Sequence, residues 1–263
     1  MIAVEARKQV LRLRTYVGLG LVALIPIIFT ISFKANPPKG RDLGFFDLTA
    51  SGINIPIAAL GGESAFLLIV VVSLFAGETV SGEASWGTLS YLLVRPVSRN
   101  RVLGSKLAVA AGLALVATFV VPVVGLVAGT IAFGWHPITT PSLALLSQGS
   151  ALGRLALATV YVAWCQAAYL AFAFMLSTMT DSAFAAVAGG VGLGVVSQIL
   201  NNISALNGTS YIYPTHYLNA WQDLFLRHAQ TTEMLRGVIL QVPYVVVLLL
   251  TAWWWFNHKD VLS

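Results

Sequence analysis

Six long apolar runs alternate with shorter polar segments along this chain of 263 residues. The runs cover about residues 16–33, 55–77, 103–133, 155–178, 183–203 and 237–256. Each run is close to, or longer than, the roughly 20 residues with which an α-helix crosses a bilayer. The pattern therefore predicts an all-α integral membrane protein, with six spans that form a single transmembrane domain over residues 1–263.

Two shorter segments mix polar and apolar residues and are predicted to lie along the membrane surface. Residues 1–14 combine basic side chains with apolar positions such as Ile2 and Leu11, which predicts an amphipathic helix before the first span. The segment 217–226 predicts a short external helix before the sixth span, with its aromatic side chains at headgroup depth. The basic N-terminus resembles a signal peptide, but its apolar run is long and no clear cleavage site follows, so we predict a retained first span.

Composition agrees with a membrane location, because 57% of the residues are hydrophobic and 10% are charged, whereas about a quarter are charged in soluble domains. The net charge of +5 comes from basic residues beside the apolar runs. This placement indicates contact with anionic lipid headgroups and argues against nucleic acid as a partner. The sequence has one cysteine, Cys165, and its four histidines are not at metal-ligand spacing. Neither an intramolecular disulfide nor a metal site is predicted.

The basic residues in the loops also predict the orientation. On the side of the two termini lie Arg7, Lys8, Arg12, Arg14, Arg95, Arg99, Arg101, Lys106 and Lys259. On the opposite side lie Lys34, Lys39, Arg41, Arg154, Arg227 and Arg236. This bias predicts cytoplasmic termini for a multi-pass protein of the plasma membrane, in a bacterium the inner membrane.

The polar segment Gly77–Asn100, between the second and third spans, concentrates charge in a chain that otherwise avoids it. We expect the second span to end at Glu78, because a carboxylate costs about 2.5–3.5 kcal/mol at the bilayer centre. Gly82 and Gly87 disfavour one continuous helix, whereas Thr88 and Pro96 can begin and end a short helix on the membrane surface.

This short helix either floats on the lipid headgroups or docks on a protein partner. Its two glutamates would face an anionic leaflet unfavourably, which favours a protein partner. The predicted docking residues are Glu78, Gly82, Glu83, Trp86, Gly87, Thr88, Leu89, Leu92, Leu93 and Arg95.

Residues 77–106 resemble the segment between spans two and three of ABC-2 type transporter permeases. The shared features are the glutamates, followed by Gly-Thr-Leu at 87–89, Leu-Leu at 92–93, Arg-Pro at 95–96 and Ser-Arg at 98–99. Segments 177–182 and 255–260 also resemble the corresponding parts of that family. Trp86 departs from the pattern, since a charged or polar residue is commoner there, so the docking surface is expected to be partner-specific.

The resemblance implies a permease subunit of an exporter, in which the 77–100 segment is a cytoplasmic coupling helix. It further implies a separate ATP-binding subunit, which binds ATP and magnesium, and a second permease subunit, identical or different. The sequence lacks the Gly-x-x-x-x-Gly-Lys-Ser/Thr loop, so no cofactor and no enzymatic activity are expected on this chain. Two alternatives stay open, namely a membrane scaffold and an ATP-independent transporter or channel. The transporter or channel would need ionisable residues at the midplane or broken helices.

Polar and small residues inside the spans form the last group of candidates. Glu63, predicted near the outer end of the second span, either lines a gate or substrate path or is solvated at the mouth of the span. Gln166 and Gln198 are predicted to bridge helices. A small-residue face for packing against another helix, including one in a second permease subunit, is predicted at Gly189, Gly190, Gly192 and Gly194.

Overall fold

The computed structural model describes residues 2–37, 49–85, 98–139, 145–206, 208–226 and 228–258. The α-helices are α1 (Ile2–Val10), α2 (Leu13–Ala35), α3 (Asn54–Ser64), α4 (Leu67–Ser85), α5 (Arg99–Phe133), α6 (Gln148–Cys165), α7 (Ala167–Met179), α8 (Ala183–Asn201) and α9 (Thr232–His258). Short 3₁₀ helices cover Ser204–Leu206, Ser210–Ile212 and Ala220–Phe225. Strands β1 (Ile138–Thr139) and β2 (Leu145–Leu146) pair antiparallel, with Ile138 opposite Leu146.

Six helical segments of the described residues are long and apolar enough to cross a membrane. They are Leu13–Ala35, Leu67–Ser85, Arg99–Phe133, Gln148–Met179, Ala183–Asn201 and Thr232–His258. The all-α architecture with six candidate spans is therefore confirmed for these residues by length and composition. The third of these helices begins at Arg99, directly after Ser98 in the N-cap position, and so extends past the predicted start of the span near residue 103.

Both ends of the described chain lie on one side of the bundle, which we call the terminal side; the opposite side is the far side. Helix α1 packs against α5, and the Arg99 guanidinium donates a hydrogen bond to the Asn257 carbonyl near the end of α9 (3.1 Å). Helix α4 is central and buried along most of its length, whereas α2, α8 and α9 are largely exposed. These outer helices therefore offer the surfaces available to lipid or to another subunit.

Helices α3 and α5 approach each other closely in the far half of the bundle. A Cβ added to Gly125 would lie 2.8 Å from Pro56 Cα, and one added to Gly52 would lie 2.5 Å from the Gly129 backbone. Small residues are needed here because any larger side chain would push the two backbones apart. The two contacts run in opposite sequence directions, so α3 and α5 are antiparallel.

The segment between α8 and α9 folds against the far side of the bundle. Trp221 and Phe225 of its third 3₁₀ helix are each 1% exposed, and the Arg154 guanidinium donates to the carbonyls of Leu224 (2.6 Å) and Leu226 (2.9 Å). The side chains of Trp221 and Phe225 are therefore not exposed to lipid headgroups. They fill the protein core instead, where a Cβ on Gly61 would lie 3.7 Å from the Trp221 ring.

Candidate functional site

Ionic side chains from α1, α4 and α5 meet on the terminal side of the bundle. Lys106 of α5 is 1% exposed, and its Nζ lies 2.8 Å from Glu83 Oε2 and 3.4 Å from Glu5 Oε1. The same ammonium donates a hydrogen bond to the Thr79 carbonyl (2.8 Å), and Lys8 of α1 also pairs with Glu83. Glu83 is thus held between lysines from two other helices, which compensates the cost of burying its charge.

A second set of contacts joins α1 and the start of α2 to α4. Glu78 pairs with Arg14 and lies 3.9 Å from Arg12. Arg14 also donates to the Gln9 side chain, whose own amide donates to Glu5 Oε1 (3.0 Å). Gln9 therefore connects the two sets into one network, which we call the terminal-side ion network.

The prediction that the helix of the second span ends at Glu78 is wrong, because α4 continues through Gly82 to Ser85. Glu78 and Glu83 lie within the helix, where Arg14 of α2 pairs with Glu78 and the lysines of α1 and α5 pair with Glu83. The two glutamates were predicted to need water. In the structure the N-terminal helix instead turns its polar face, with Glu5 and Gln9 buried, towards them.

The other predicted docking residues, Trp86, Gly87, Thr88, Leu89, Leu92, Leu93 and Arg95, lie outside the described residues. The coupling helix therefore stays a prediction. Its attachment points are described, since α4 ends at Ser85 and α5 begins at Arg99. Beside them is a cavity of about 570 Å³ lined by Lys8, Arg12, Glu78, Gly82, Glu83, Ser85 and Ala183.

Span two is broken between α3 and α4, and glutamines from two other spans stabilise the break. The Gln166 side-chain amide donates to the Ser64 carbonyl (2.8 Å), and that of Gln198 donates to the Ala65 carbonyl. These bonds satisfy carbonyl groups that a helix end leaves without an internal partner. Both glutamines bridge helices, as predicted, and Gln166 is itself the junction between α6 and α7.

Glu63 lies at the end of α3, next to this break, and is 2% exposed. Neither of its carboxylate oxygens has a hydrogen-bond partner among the described residues. The alternative of a solvated residue at the mouth of the span is therefore wrong. Helix α3 begins on the far side and leads inwards, so that its last turn lies deep in the bundle.

Two comparisons with known proteins bear on this arrangement. The family described as "Protein of unknown function (DUF2705)" matches residues 19–262, which is most of the chain. The chain belongs to the DUF2705 family. It is also similar to the "Probable ABC transporter permease protein NosY" of Stutzerimonas stutzeri, with 31% identity over 200 residues. That match covers 72% of this chain and 63% of the relative, so the chain spans less than two thirds of the relative's length.

The glycines of α8 in this DUF2705 protein pack mainly against helices of the same chain. A Cβ on Gly190 would lie 2.5 Å from Ser73 Oγ of α4, and one on Gly194 would lie 2.9 Å from Ile69 Cγ2. A Cβ on Gly189 would overlap the Leu176 side chain of α7. Gly192, by contrast, has no neighbour within 4 Å of an added Cβ and faces away from this contact.

Sequence reasoning missed the other members of the terminal-side ion network, namely Glu5, Lys8, Gln9, Arg12, Arg14 and Lys106. One signal was present, since Glu5 and Gln9 are four residues apart and therefore share a face of the predicted N-terminal helix. Lys106 gave a second signal, because it lies inside α5, the helix of the third span in this DUF2705 chain, and must have a buried partner there. No group of His, Cys, Asp and Glu suited to a metal ion occurs among the described residues.

Proposed function

We propose that this chain is the membrane-spanning permease subunit of an ATP-binding cassette exporter. The terminal-side ion network is the observation that carries the proposal, because it braces both attachment points of the 86–97 segment. The similarity to a protein named as an ABC transporter permease supports it. ATP and magnesium would bind to a separate ATPase subunit, and a second permease subunit would complete the transporter. On this proposal the terminal side faces the cytoplasm, in a bacterium across the inner membrane.

The network would make α4, α5 and α1 move together when a partner displaces the coupling segment. Glu83 lies two residues before the end of α4 and pairs with Lys106 of α5 and Lys8 of α1. Leaving one member of such a buried pair without its partner costs about 3–5 kcal/mol. A partner that supplies less free energy than this would therefore move all three helices as one body.

Helix α4 would then act as a lever between the coupling segment and the middle of the bundle. It has 19 residues, which corresponds to about 28 Å at the rise of an α-helix. Its other end is the break at Ala65 and Phe66, where two glutamine side chains replace continuous helical hydrogen bonds. Movement of α4 would be absorbed at this break while α3 remains packed against α5.

The exporter proposal is tested by co-purification and coupled activity. A stable complex with an ATP-binding subunit is expected in mild detergent, and Leu89→Asp should abolish ATP-driven transport while the protein still inserts and folds. Leu89→Met, which keeps an apolar docking face, is the matched control. The absence of a complex, or full coupled transport by Leu89→Asp, would contradict the proposal. Glu83→Lys is a poor test of docking, since it would place a third cation beside Lys8 and Lys106.

A second candidate, an ATP-independent transporter, gains support from the broken span and the buried carboxyl group of Glu63. Such carriers place ionisable residues and helix breaks near the bilayer midplane. Proteoliposomes that contain this chain alone distinguish the two candidates. Uptake driven by an ion gradient without ATP would favour the second candidate, whereas transport that requires the ATPase subunit and ATP would exclude it.

A further inference from the structure

The ABC proposal assigns no role to the buried carboxyl group of Glu63. Its side chain shares one face of the chain with Gly52 and Pro56, at spacings of four and seven residues. Gly52 contacts Gly129 of α5, and Pro56 contacts Gly125. Continuing this antiparallel register by seven residues along both helices places Glu63 level with Thr118.

Thr118 lies on a turn of α5 that has a free main-chain acceptor. Pro122 is inside α5 and has no N–H, so the Thr118 carbonyl cannot accept the usual helical hydrogen bond from residue 122. Thr118 is 1% exposed, and its hydroxyl donates to the Ala114 carbonyl (3.0 Å) and is already engaged. On this register the Glu63 carboxyl group and the Thr118 carbonyl, which lacks its helical donor, lie at the same level of the interface between α3 and α5.

Among the residues that the structure describes, no cation on the elements around Glu63 is placed to neutralise it. Helix α5 has no charged residue after Lys106, and α4 has none before Glu78. In α2 the charged residues, Arg14 and Lys34, lie at its two ends. The titratable groups of α6 are Arg154, Tyr161 and Cys165. Arg154 and Tyr161 donate hydrogen bonds to main-chain carbonyls of the segment between α8 and α9. The nearby 3₁₀ helix adds Asp223, which would not neutralise a carboxylate.

We propose that Glu63 is a proton-binding site, held as the neutral carboxylic acid with its O–H donated to the Thr118 carbonyl. An ionised carboxylate buried without a partner would cost far more than this arrangement. A metal ion is disfavoured because it needs several oxygen ligands, and one heptad away α3 and α5 are already in backbone contact. Movement that admits water at the break would let Glu63 release its proton, so protonation and opening of the span are coupled.

Infrared difference spectroscopy tests the proton directly, in the protein without its ATPase partner. At neutral pH we expect the carbonyl stretch of a buried carboxylic acid in the native protein, and its loss in Glu63→Gln. Glu233→Gln is the matched control, because Glu233 is an exposed carboxylate paired with Arg236, and this variant should keep the band. A spectrum without the band, or a band unchanged by Glu63→Gln, would overturn the proposal. So would a sodium-dependent shift of the Glu63 carboxylate stretch, which would indicate a metal cation.

The acceptor is tested by thermal unfolding in four variants. Glu63→Leu should lower the unfolding midpoint, because it leaves the Thr118 carbonyl without a donor, whereas Glu63→Gln keeps an N–H donor and should lie close to the native protein. In a Pro122→Ala background, Ala at 122 supplies the helical N–H, so Glu63→Leu should cause a smaller loss. An equal loss in both backgrounds would rule out Thr118 as the partner. Neither measurement involves ATP, so its failure is independent of the ABC proposal.

Discussion

Replacing Lys106 by Met should reveal how strongly the terminal-side ion network holds α4 to α5. Lys106 is 1% exposed and contacts Glu83, Glu5 and the Thr79 carbonyl. Met has similar length but no charge, so Lys106→Met leaves a buried carboxylate with one fewer partner. Removal of one member of a buried pair costs about 3–5 kcal/mol. Since Lys8 still pairs with Glu83, we expect the lower end, about 3 kcal/mol.

Thermal unfolding in detergent, followed by tryptophan fluorescence, measures this loss. In proteins of roughly this size 1 kcal/mol shifts the midpoint by about 2–4 °C, so we expect a decrease of about 6–12 °C. The double variant Lys106→Met with Glu83→Gln should recover much of it, because removing both charges removes the uncompensated carboxylate.

The exposed pair between Arg236 and Glu233 provides the control. Its side chains are 61% and 43% exposed at a separation of 2.6 Å, and such surface pairs contribute about 0–1 kcal/mol. Arg236→Met should therefore change the midpoint by less than Lys106→Met does. An unaltered midpoint in Lys106→Met, or a double variant no more stable than the single one, would refute the reasoning.

Two further predictions follow from packing and topology. Gly190→Val should destabilise the fold, because the new side chain would meet Ser73 and Ala173, whereas Gly192→Val on the open side of α8 should not. Thermal unfolding midpoints of the two variants measure this difference, and equal midpoints would contradict the assigned packing. Ser85→Cys, at an exposed position, should react with a membrane-impermeant thiol reagent only from the cytoplasmic side, and labelling only from outside would reverse the proposed orientation.

The spans were predictable because each depends on local composition. A helix in lipid must satisfy its own backbone hydrogen bonds, so an uninterrupted apolar run of sufficient length leaves few alternatives. The same reasoning misplaced the end of α4. The cost of burying a single charge was considered without its partners. The charge of Glu83 is compensated by Lys106 and Lys8, which are 23 and 75 residues away in sequence.

The depth of Glu63 was equally beyond the local pattern. The apolar run from residue 55 to 77 appears continuous in sequence, and a carboxyl group near its start suggests the mouth of a span. The structure divides this stretch into α3 and α4, because Gln166 and Gln198 compensate the broken backbone. Such a break depends on partners more than a hundred residues away, which hydropathy does not reveal.

Helix α4 connects the terminal-side ion network to the break next to Glu63. Its terminal end is fixed to α5 by the Glu83–Lys106 pair, whereas its other end is attached to α3 through a break capped by two glutamine side chains. Each of these capping hydrogen bonds contributes about 1 kcal/mol to stability, which is less than the cost of breaking the buried ion pair at the terminal end. A partner that displaces α4 from the terminal side would therefore loosen the break first. Glu63 lies two residues before that break, so the carboxyl group is placed where such movement would first admit water.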